Sequence, residues 1–91
     1  MSEGRFHVEL APAAQRQFRR LPPGSAASLR GPTLALRLDP RPPGASKLAG
    51  RDFRRMRVGD LRVIYVIEEA RGLVIALRVA RRSESTYRRV R

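Results

Sequence analysis

The sequence predicts an α+β fold, with two N-terminal helices packed on one face of a four-stranded antiparallel sheet. Three observations predict it: an alternating apolar segment near the start, two segments with helical spacing after it, and three strand-like runs joined by short turns. The predicted order is strand, helix, helix, strand, strand, strand, followed by a short helical or irregular C-terminal segment. We expect residues 1–91 to form a single domain, because this length supports one modest core.

The N-terminal segment changes from the period of a strand to that of a helix. Residues 5–10 predict the first strand, because three apolar side chains alternate onto one side: Phe6, Val8 and Leu10. Apolar residues then recur every three or four positions from Pro12 to Leu21, which predicts a short amphipathic helix that buries Phe18.

A second helix is predicted after two consecutive prolines. Ser25 is a suitable N-cap, and the helix is expected to share one apolar stripe made of Ala27, Leu34 and Leu38. Because proline lacks the N–H that a helix interior needs, we expect a kink or an interruption at Pro32. The proline-rich residues 39–44 end the helix.

The C-terminal half contains three strand-like runs, at residues 52–58, 61–69 and 73–80. The two-residue turn Gly59-Asp60 joins the first two runs, and a short turn with Arg71-Gly72 joins the next pair. Short turns of this kind predict an antiparallel meander.

The length of the first turn fixes which side chains share a face. A two-residue turn places Arg57 directly opposite Arg62, with Arg55 on the same face. The other face becomes the core face and carries these residues: Met56, Val58, Leu61, Val63, Tyr65 and Ile67. In the last strand, alternation assigns Ile75, Leu77 and Val79 to the core and Ala76, Arg78 and Ala80 to the basic face. Arg82 is expected to follow that basic face, with Tyr87 close by.

Charge and composition indicate an anionic partner. The chain has a net charge of +12, from nineteen arginines and one lysine against eight acids. Such a charge attracts phosphate polyanions, so nucleic acid is the expected partner. The alternative is compositional bias of a GC-rich genome, which explains arginine in place of lysine but not the excess of base over acid.

Several classes of site and location are excluded or disfavoured. The chain has no cysteine, which excludes disulfides and thiolate metal sites, and His7, the single histidine, cannot form a two-histidine nuclease site. Glu68 and Glu69 lack acidic partners at a metal-binding spacing. No apolar run is long enough to cross a bilayer, and no signal-peptide core follows the first residues, so we expect a cytoplasmic protein without a membrane partner.

Four stretches resemble the RelE/ParE superfamily of bacterial toxins: ELAPAAQRQFRRLPP, DPRPPGASKLAG, FRRMRVGDLRVIYVIEE and LRVARRSESTYR. The third is the most specific, with a basic strand, a tight glycine turn and an arginine shortly before a tyrosine. The resemblance implies a RelE-like fold and, for RelE-type members, an mRNA interferase. Such a toxin enters the ribosomal A site and cleaves the message by attack of its own 2′-hydroxyl, with no metal and no cofactor. By position, the implied catalytic set is Arg55, Arg57, Arg62, Arg82 and Tyr87.

The resemblance also implies partners and roles. We expect the message on the ribosome and ribosomal RNA to contact these residues: Arg54, Lys47, Arg78, Arg81, Arg16, Arg19, Arg20 and Arg88. A cognate antitoxin is expected to hold the toxin inactive. Some relatives have lysine where Arg55 and Arg57 stand, so the residue that accepts the proton stays open. The alternatives are a ParE-like inhibitor of DNA gyrase without nuclease activity, and a basic nucleic-acid-binding module without catalysis.

Overall fold

A computed structural model describes residues 6–48 and 53–81 of the chain. Its strands are β1 (His7–Leu10), β2 (Ala45–Lys47), β3 (Phe53–Val58), β4 (Leu61–Glu68) and β5 (Leu73–Arg81). Its helices are α1 (Pro12–Arg19) and α2 (Pro23–Ala35), and one 3₁₀ turn, Glu69–Arg71, precedes β5. The predicted α+β class with two N-terminal helices is confirmed.

The sheet has five strands in the order β1-β5-β4-β3-β2, where four were predicted. The additional strand is β2, which pairs antiparallel with β3 over three residues and is too short to show a period in the sequence. β1 pairs with β5 in parallel, so the sheet is mixed and not wholly antiparallel. This pairing joins distant parts of the chain, and local periodicity carries no information about it.

Helix α2 differs from the prediction at its start and in its interior. It begins at Pro23 with Pro22 at the N-cap position, so Ser25 lies inside the helix and is not its cap, and no side chain caps the helix. It also continues through Pro32 to Ala35 instead of breaking. Leu29 and Thr33 are buried beneath this part of the helix, and that tertiary packing outweighs the proline's intrinsic preference.

The core lies between the helices and one face of the sheet. Helix residues Ala14, Leu29 and Leu36 pack in one cluster with sheet residues that include these: Met56, Leu61, Val63, Tyr65, Ile67, Val74, Ala76 and Val79. Phe18 is partly buried against the cluster. The predicted stripe on α2 is wrong: Ala27 is exposed, and Leu34 and Leu38 are 51% and 57% exposed. The helix instead buries Leu29 and Thr33, because its apolar residues surround it and offer two competing stripes.

Tyr65 connects the sheet to the loop that follows α2. Its side chain is fully buried, as predicted, and its hydroxyl donates a hydrogen bond to the carbonyl of Pro40 at 2.7 Å. This bond fixes the proline-rich loop against the centre of the sheet. In the described ranges 6–48 and 53–81, neither helix has the length and apolar character needed to cross a membrane.

Candidate nucleic-acid interface

The β3–β4 hairpin has the register that its turn predicts. Arg57 lies opposite Arg62, and Arg55 lies opposite Ile64. Gly59 in the turn has a φ of +59°, a left-handed conformation that glycine adopts without strain. Opposed residues of an antiparallel pair project on the same face, so the three arginines share the face that points away from the helices.

A bulge in β5 changes which of its side chains face the core. Ile64 lies opposite Arg78, whereas the next residue, Tyr65, lies opposite Ala76, so Leu77 is the extra residue. Before the bulge, Val74 and Ala76 are buried, which corrects the assignment of Ile75 to the core and of Ala76 to the basic face.

Beyond the bulge the predicted alternation holds. Val79 is buried at 6% exposure, while Arg78 and Ala80 are exposed. The bulge therefore brings Arg78 onto the face that already carries the hairpin arginines. We call this face of the sheet, with Arg55, Arg57, Arg62, Ile64, Arg78 and Ala80, the open face.

Four arginines surround Ile64 on the open face, and we call them the basic cluster: Arg55, Arg57, Arg62 and Arg78. Directly opposed side chains have Cβ atoms about 5 Å apart, so their charges repel one another unless an anion lies between them. Arg57 and Arg78 are exposed, and Arg55 and Arg62 are half-buried. The Nε atom of Arg62 is buried without a hydrogen bond, although other atoms of this residue do interact.

Two acids at the far end of β4 from Arg62 are engaged in ion pairs. Glu68 accepts a hydrogen bond from Arg71 at 2.8 Å, and Glu69 accepts one from Arg41 at 2.8 Å. Six residues of strand separate Arg62 from Glu68, which corresponds to about 20 Å. These carboxylates therefore do not neutralise the basic cluster.

The remaining predicted RNA-binding residues fall into different places. Lys47 lies opposite Arg54, and Arg81 lies opposite Leu61. By strand alternation, all three cations belong to the same side of the sheet as the core residues. The three arginines of the first helical region are exposed: Arg16, Arg19 and Arg20. Arg20 and Arg81 line one surface cavity beside the start of β4, so α1 and β5 do bring two of the predicted cations together. Arg82, Tyr87 and Arg88 lie outside the described residues.

Gln17 positions the strand that carries Arg78, and sequence reasoning missed it. Pairing between β1 and β5 ends at Leu10 and Ala76. Beyond that point the Oε1 atom of Gln17 accepts a hydrogen bond from the backbone N–H of Val79 at 2.7 Å. Helix α1 thus takes the place of β1 at this edge of β5. A glutamine on an amphipathic helix gives no signal in the sequence, because nothing there shows which edge it will meet.

The arrangement suits binding and stabilisation of a phosphate. Guanidinium groups present planar sets of donors that match phosphate oxygens, and they remain charged at physiological pH. They are poor proton acceptors, so the basic cluster itself supplies charge and orientation. Across residues 6–48 and 53–81, the histidine, aspartate and glutamate residues form no group of three that could hold a metal ion.

A family model matches residues 8–86, and its description is the ParE toxin of the type II toxin–antitoxin system parDE. No curated protein matches the sequence.

Solved structures share the fold over most of the chain. A chain of the archaeal RelE–RelB complex from Pyrococcus horikoshii OT3 is similar, with a TM-score of 0.76, 21% identity, and coverage of 89% of this chain and 99% of that one. A chain of the RelBE2 toxin–antitoxin complex from Mycobacterium tuberculosis is similar with a TM-score of 0.75 and 25% identity, and the match covers 85% of this chain and 98% of that one. The isolated Escherichia coli RelE toxin is similar with a TM-score of 0.77 and 17% identity, and the match covers 93% of each chain.

Proposed function

The chain belongs to the ParE toxin family of type II toxin–antitoxin systems, within the RelE/ParE superfamily, and we propose that it acts as the RelE-type members of that superfamily do, as a ribosome-dependent endoribonuclease that cleaves mRNA in the A site. The observation that carries the proposal is the basic cluster. Its four arginines occupy one sheet face, and their directly paired neighbours in the sheet include no acid. Two opposed arginines suit a bound phosphate, because both guanidinium groups can donate to the oxygens of one anion.

The reaction proposed is a transesterification within the message. The 2′-hydroxyl oxygen of one ribose attacks the adjacent phosphorus, and the bond from phosphorus to the 5′-oxygen of the next nucleotide breaks. The products are a 2′,3′-cyclic phosphate and a free 5′-hydroxyl, so the proton lost by the nucleophile is balanced by the proton gained by the leaving oxygen. No metal or cofactor takes part in this chemistry.

The arginines would act mainly on charge that develops in the transition state. Arg57 and Arg62, being opposed, can each donate to a non-bridging phosphate oxygen, and the half-buried Arg62 is better shielded from water than the exposed Arg57. Arg55 lies on the same face next to them. Arg82 and Tyr87 complete the proposed set: Arg82 would act on the leaving oxygen, and Tyr87 would stack on a base.

The proposed partners and location follow from this activity. The message on the ribosome and its ribosomal RNA are the proposed nucleic-acid partners, with the exposed arginines of α1 as additional phosphate contacts. The proposed protein partner is an antitoxin encoded beside the toxin. The proposed location is the bacterial cytoplasm, where ribosomes translate.

Purified ribosomes that carry a defined message, with a known codon in the A site, test the nuclease. Addition of the protein should cut the message in that codon and leave 5′-hydroxyl ends. Arg62→Ala should lower the cleavage rate by about 100-fold or more, the usual effect of removing one donor to a transition-state oxyanion. Arg37→Ala is the matched control, since Arg37 is exposed after α2, and it should cut normally. An intact message at saturating protein, or full activity of folded Arg62→Ala, would contradict the proposal.

The second candidate function is inhibition of DNA gyrase without nuclease activity. The observation that favours it is the family model, which is that of ParE toxins. Gyrase incubated with plasmid DNA and the protein would then accumulate covalent cleaved complexes. If such complexes form while ribosome-bound message stays intact, the gyrase function replaces the nuclease.

A further inference from the structure

The open face is not basic along its whole length. On the side of the basic cluster away from the hairpin turn, three apolar residues lie in one row across the sheet: Phe53 on β3, Val66 on β4 and Ile75 on β5. Phe53 pairs with Val66, and Val66 pairs with Ile75, so the three side chains project next to one another on the same face. We call these three residues the apolar row.

The apolar row is separate from the core. Among the described residues, the buried cluster and the side chains packed against it include no member of the row. All three residues are half-buried, on the face of the sheet that points away from the helices. Antiparallel strands normally carry polar residues at the positions that alternate with the core residues. Three neighbouring apolar side chains at such positions therefore indicate a contact surface.

Charge changes sign along the open face. Arg55 lies two residues from Phe53 on β3, which corresponds to about 7 Å and places the basic cluster beside the apolar row. At the other edge the row meets Glu9 of β1, which pairs with Ile75 and is exposed. A phosphate is attracted to the arginines and repelled by Glu9. A molecule that contacts both regions therefore has its anionic part at the basic cluster and its uncharged part at the row.

A nucleotide with an unpaired base has this distribution of charge. Its phosphate is anionic, and its base is a flat, uncharged ring at a similar distance from the phosphate. Sheets that recognise single-stranded RNA stack unpaired bases on aromatic side chains of their open face. Such stacking is tolerant of sequence, because every base has a π-face that a phenylalanine ring can cover. A duplex fits poorly, since its bases are stacked on one another and do not present a face to the sheet.

We propose that the apolar row binds the unpaired base of a nucleotide next to the phosphate held by the basic cluster, with the ring of Phe53 stacked on that base. The inference rests on the RNA-binding part of the proposed function and does not require that the message is cut. The site is additional to the one proposed for Tyr87, so two bases flanking the reacting phosphate are held. Val66 and Ile75 extend the apolar surface beneath the same base.

The test compares two single-stranded oligonucleotides that bind the purified full chain, measured by fluorescence anisotropy at low salt. One carries adenine at every position, because a purine has the larger ring area, and 2′-O-methyl groups that prevent cleavage. The other has the same number of phosphates but no bases. The ratio of the two dissociation constants therefore reports base contacts and not phosphate contacts. For the wild-type chain we expect the adenine oligonucleotide to bind at least about tenfold more tightly.

Variants of Phe53 assign this preference to the row. Phe53→Ala should lower the ratio at least about fivefold, because the stacking ring is lost. Its affinity for the abasic oligonucleotide should stay within about twofold of wild type, which reports an intact fold and basic cluster. Phe53→Leu keeps an apolar side chain without the ring and should also lower the ratio, whereas Phe53→Tyr should keep it. Arg57→Gln should weaken binding of both oligonucleotides by the same factor.

The matched control is Leu38→Ala, which removes an apolar side chain that is 57% exposed but follows α2, on the helical side of the sheet. It should leave the ratio unchanged. Equal affinity of the wild-type chain for both oligonucleotides would overturn the proposal, as would a wild-type ratio in folded Phe53→Ala and Phe53→Leu. Message cleavage on ribosomes is measured separately. Base-dependent binding through Phe53 without cleavage refutes only the nuclease, and cleavage with a ratio that does not depend on Phe53 refutes only the base site.

Discussion

Arg57 and Arg62 lie directly opposite each other on β3 and β4, on the sheet face that points away from the core. Like charges at opposed positions of a sheet destabilise it, and neither residue has an acid directly across the strand pair. The fold would be more stable with a neutral or acidic residue at one of the two positions. A bound anion would offset this cost, because a phosphate between the two guanidinium groups attracts both of them.

Removal of one of these charges should stabilise the fold. We expect Arg57→Gln to raise the free energy of unfolding by up to about 1 kcal/mol at low salt, because it relieves the repulsion from Arg62. The gain should shrink in 1 M salt, where the Debye length falls to about 3 Å. Urea denaturation at both salt concentrations measures it.

The control for this prediction is Arg37→Gln, which removes one positive charge from an exposed position after α2. A general reduction of net charge would stabilise both variants equally. We expect the control to change the free energy of unfolding by less than about 0.5 kcal/mol. Equal gains in the two variants would show that the repulsion is spread over the whole chain and not concentrated at the opposed pair.

The hairpin was predictable from the sequence because its register is a local property. Two turn residues fix every pair along β3 and β4, so the shared face of Arg55, Arg57 and Arg62 follows from counting. The first half of β5 was not predictable in this way. The bulge at Leu77 reverses the alternation, and nothing in the run of apolar residues marks the one that is left out of the pairing.

Pairing and burial that depend on distant segments were also missed. The parallel alignment of β1 with β5 depends on the path of the whole chain. The four residues of β1 do not by themselves indicate which strand they pair with or in which direction. On α2, the predicted stripe and the buried one have the same helical spacing, so the period alone does not show which side packs on the sheet. The fold buries the stripe with Leu29 and Thr33 instead, and leaves Leu34 exposed.

Gln17 should control the stability of the last part of β5. In Gln17→Met the backbone N–H of Val79 loses its acceptor at the sheet edge, which we expect to cost about 1–2 kcal/mol. The amide proton of Val79 should then exchange with solvent faster than in wild type, as measured by NMR. Gln15→Met is the matched control, because Gln15 also bonds a backbone atom, the carbonyl of Leu10, but at an exposed position. Unchanged exchange at Val79 in Gln17→Met would contradict the assigned contact.

Tyr65 should contribute through its hydroxyl as well as its ring. Tyr65→Phe leaves the buried carbonyl of Pro40 without this donor, and we expect it to lower the free energy of unfolding by about 1–2 kcal/mol. Thr33→Val is the matched control: the Thr33 hydroxyl donates to the carbonyl of Leu29 at 2.8 Å, but that carbonyl lies within α2 and has a helical N–H as a second donor. Chemical denaturation should therefore show a smaller loss for Thr33→Val. A larger loss in the control would mean that the tyrosine hydroxyl is unimportant for holding the loop.

Pro32 should be a site where substitution stabilises the protein. α2 passes through Pro32, so the missing N–H leaves the carbonyl four residues earlier, at Ser28, without its helical donor. Pro32 is exposed, and alanine there restores the bond without disturbing the core. Proline costs about 3 kcal/mol relative to alanine inside a helix but restricts the unfolded chain, so we expect a net gain of about 2 kcal/mol in urea denaturation. Pro23→Ala, in the first turn where that nitrogen needs no acceptor, should change stability by less than about 0.5 kcal/mol. A loss of stability in Pro32→Ala would mean that the helix is not continuous at this residue, and the outer surface that includes Gly31 and Leu34 would then have a different shape.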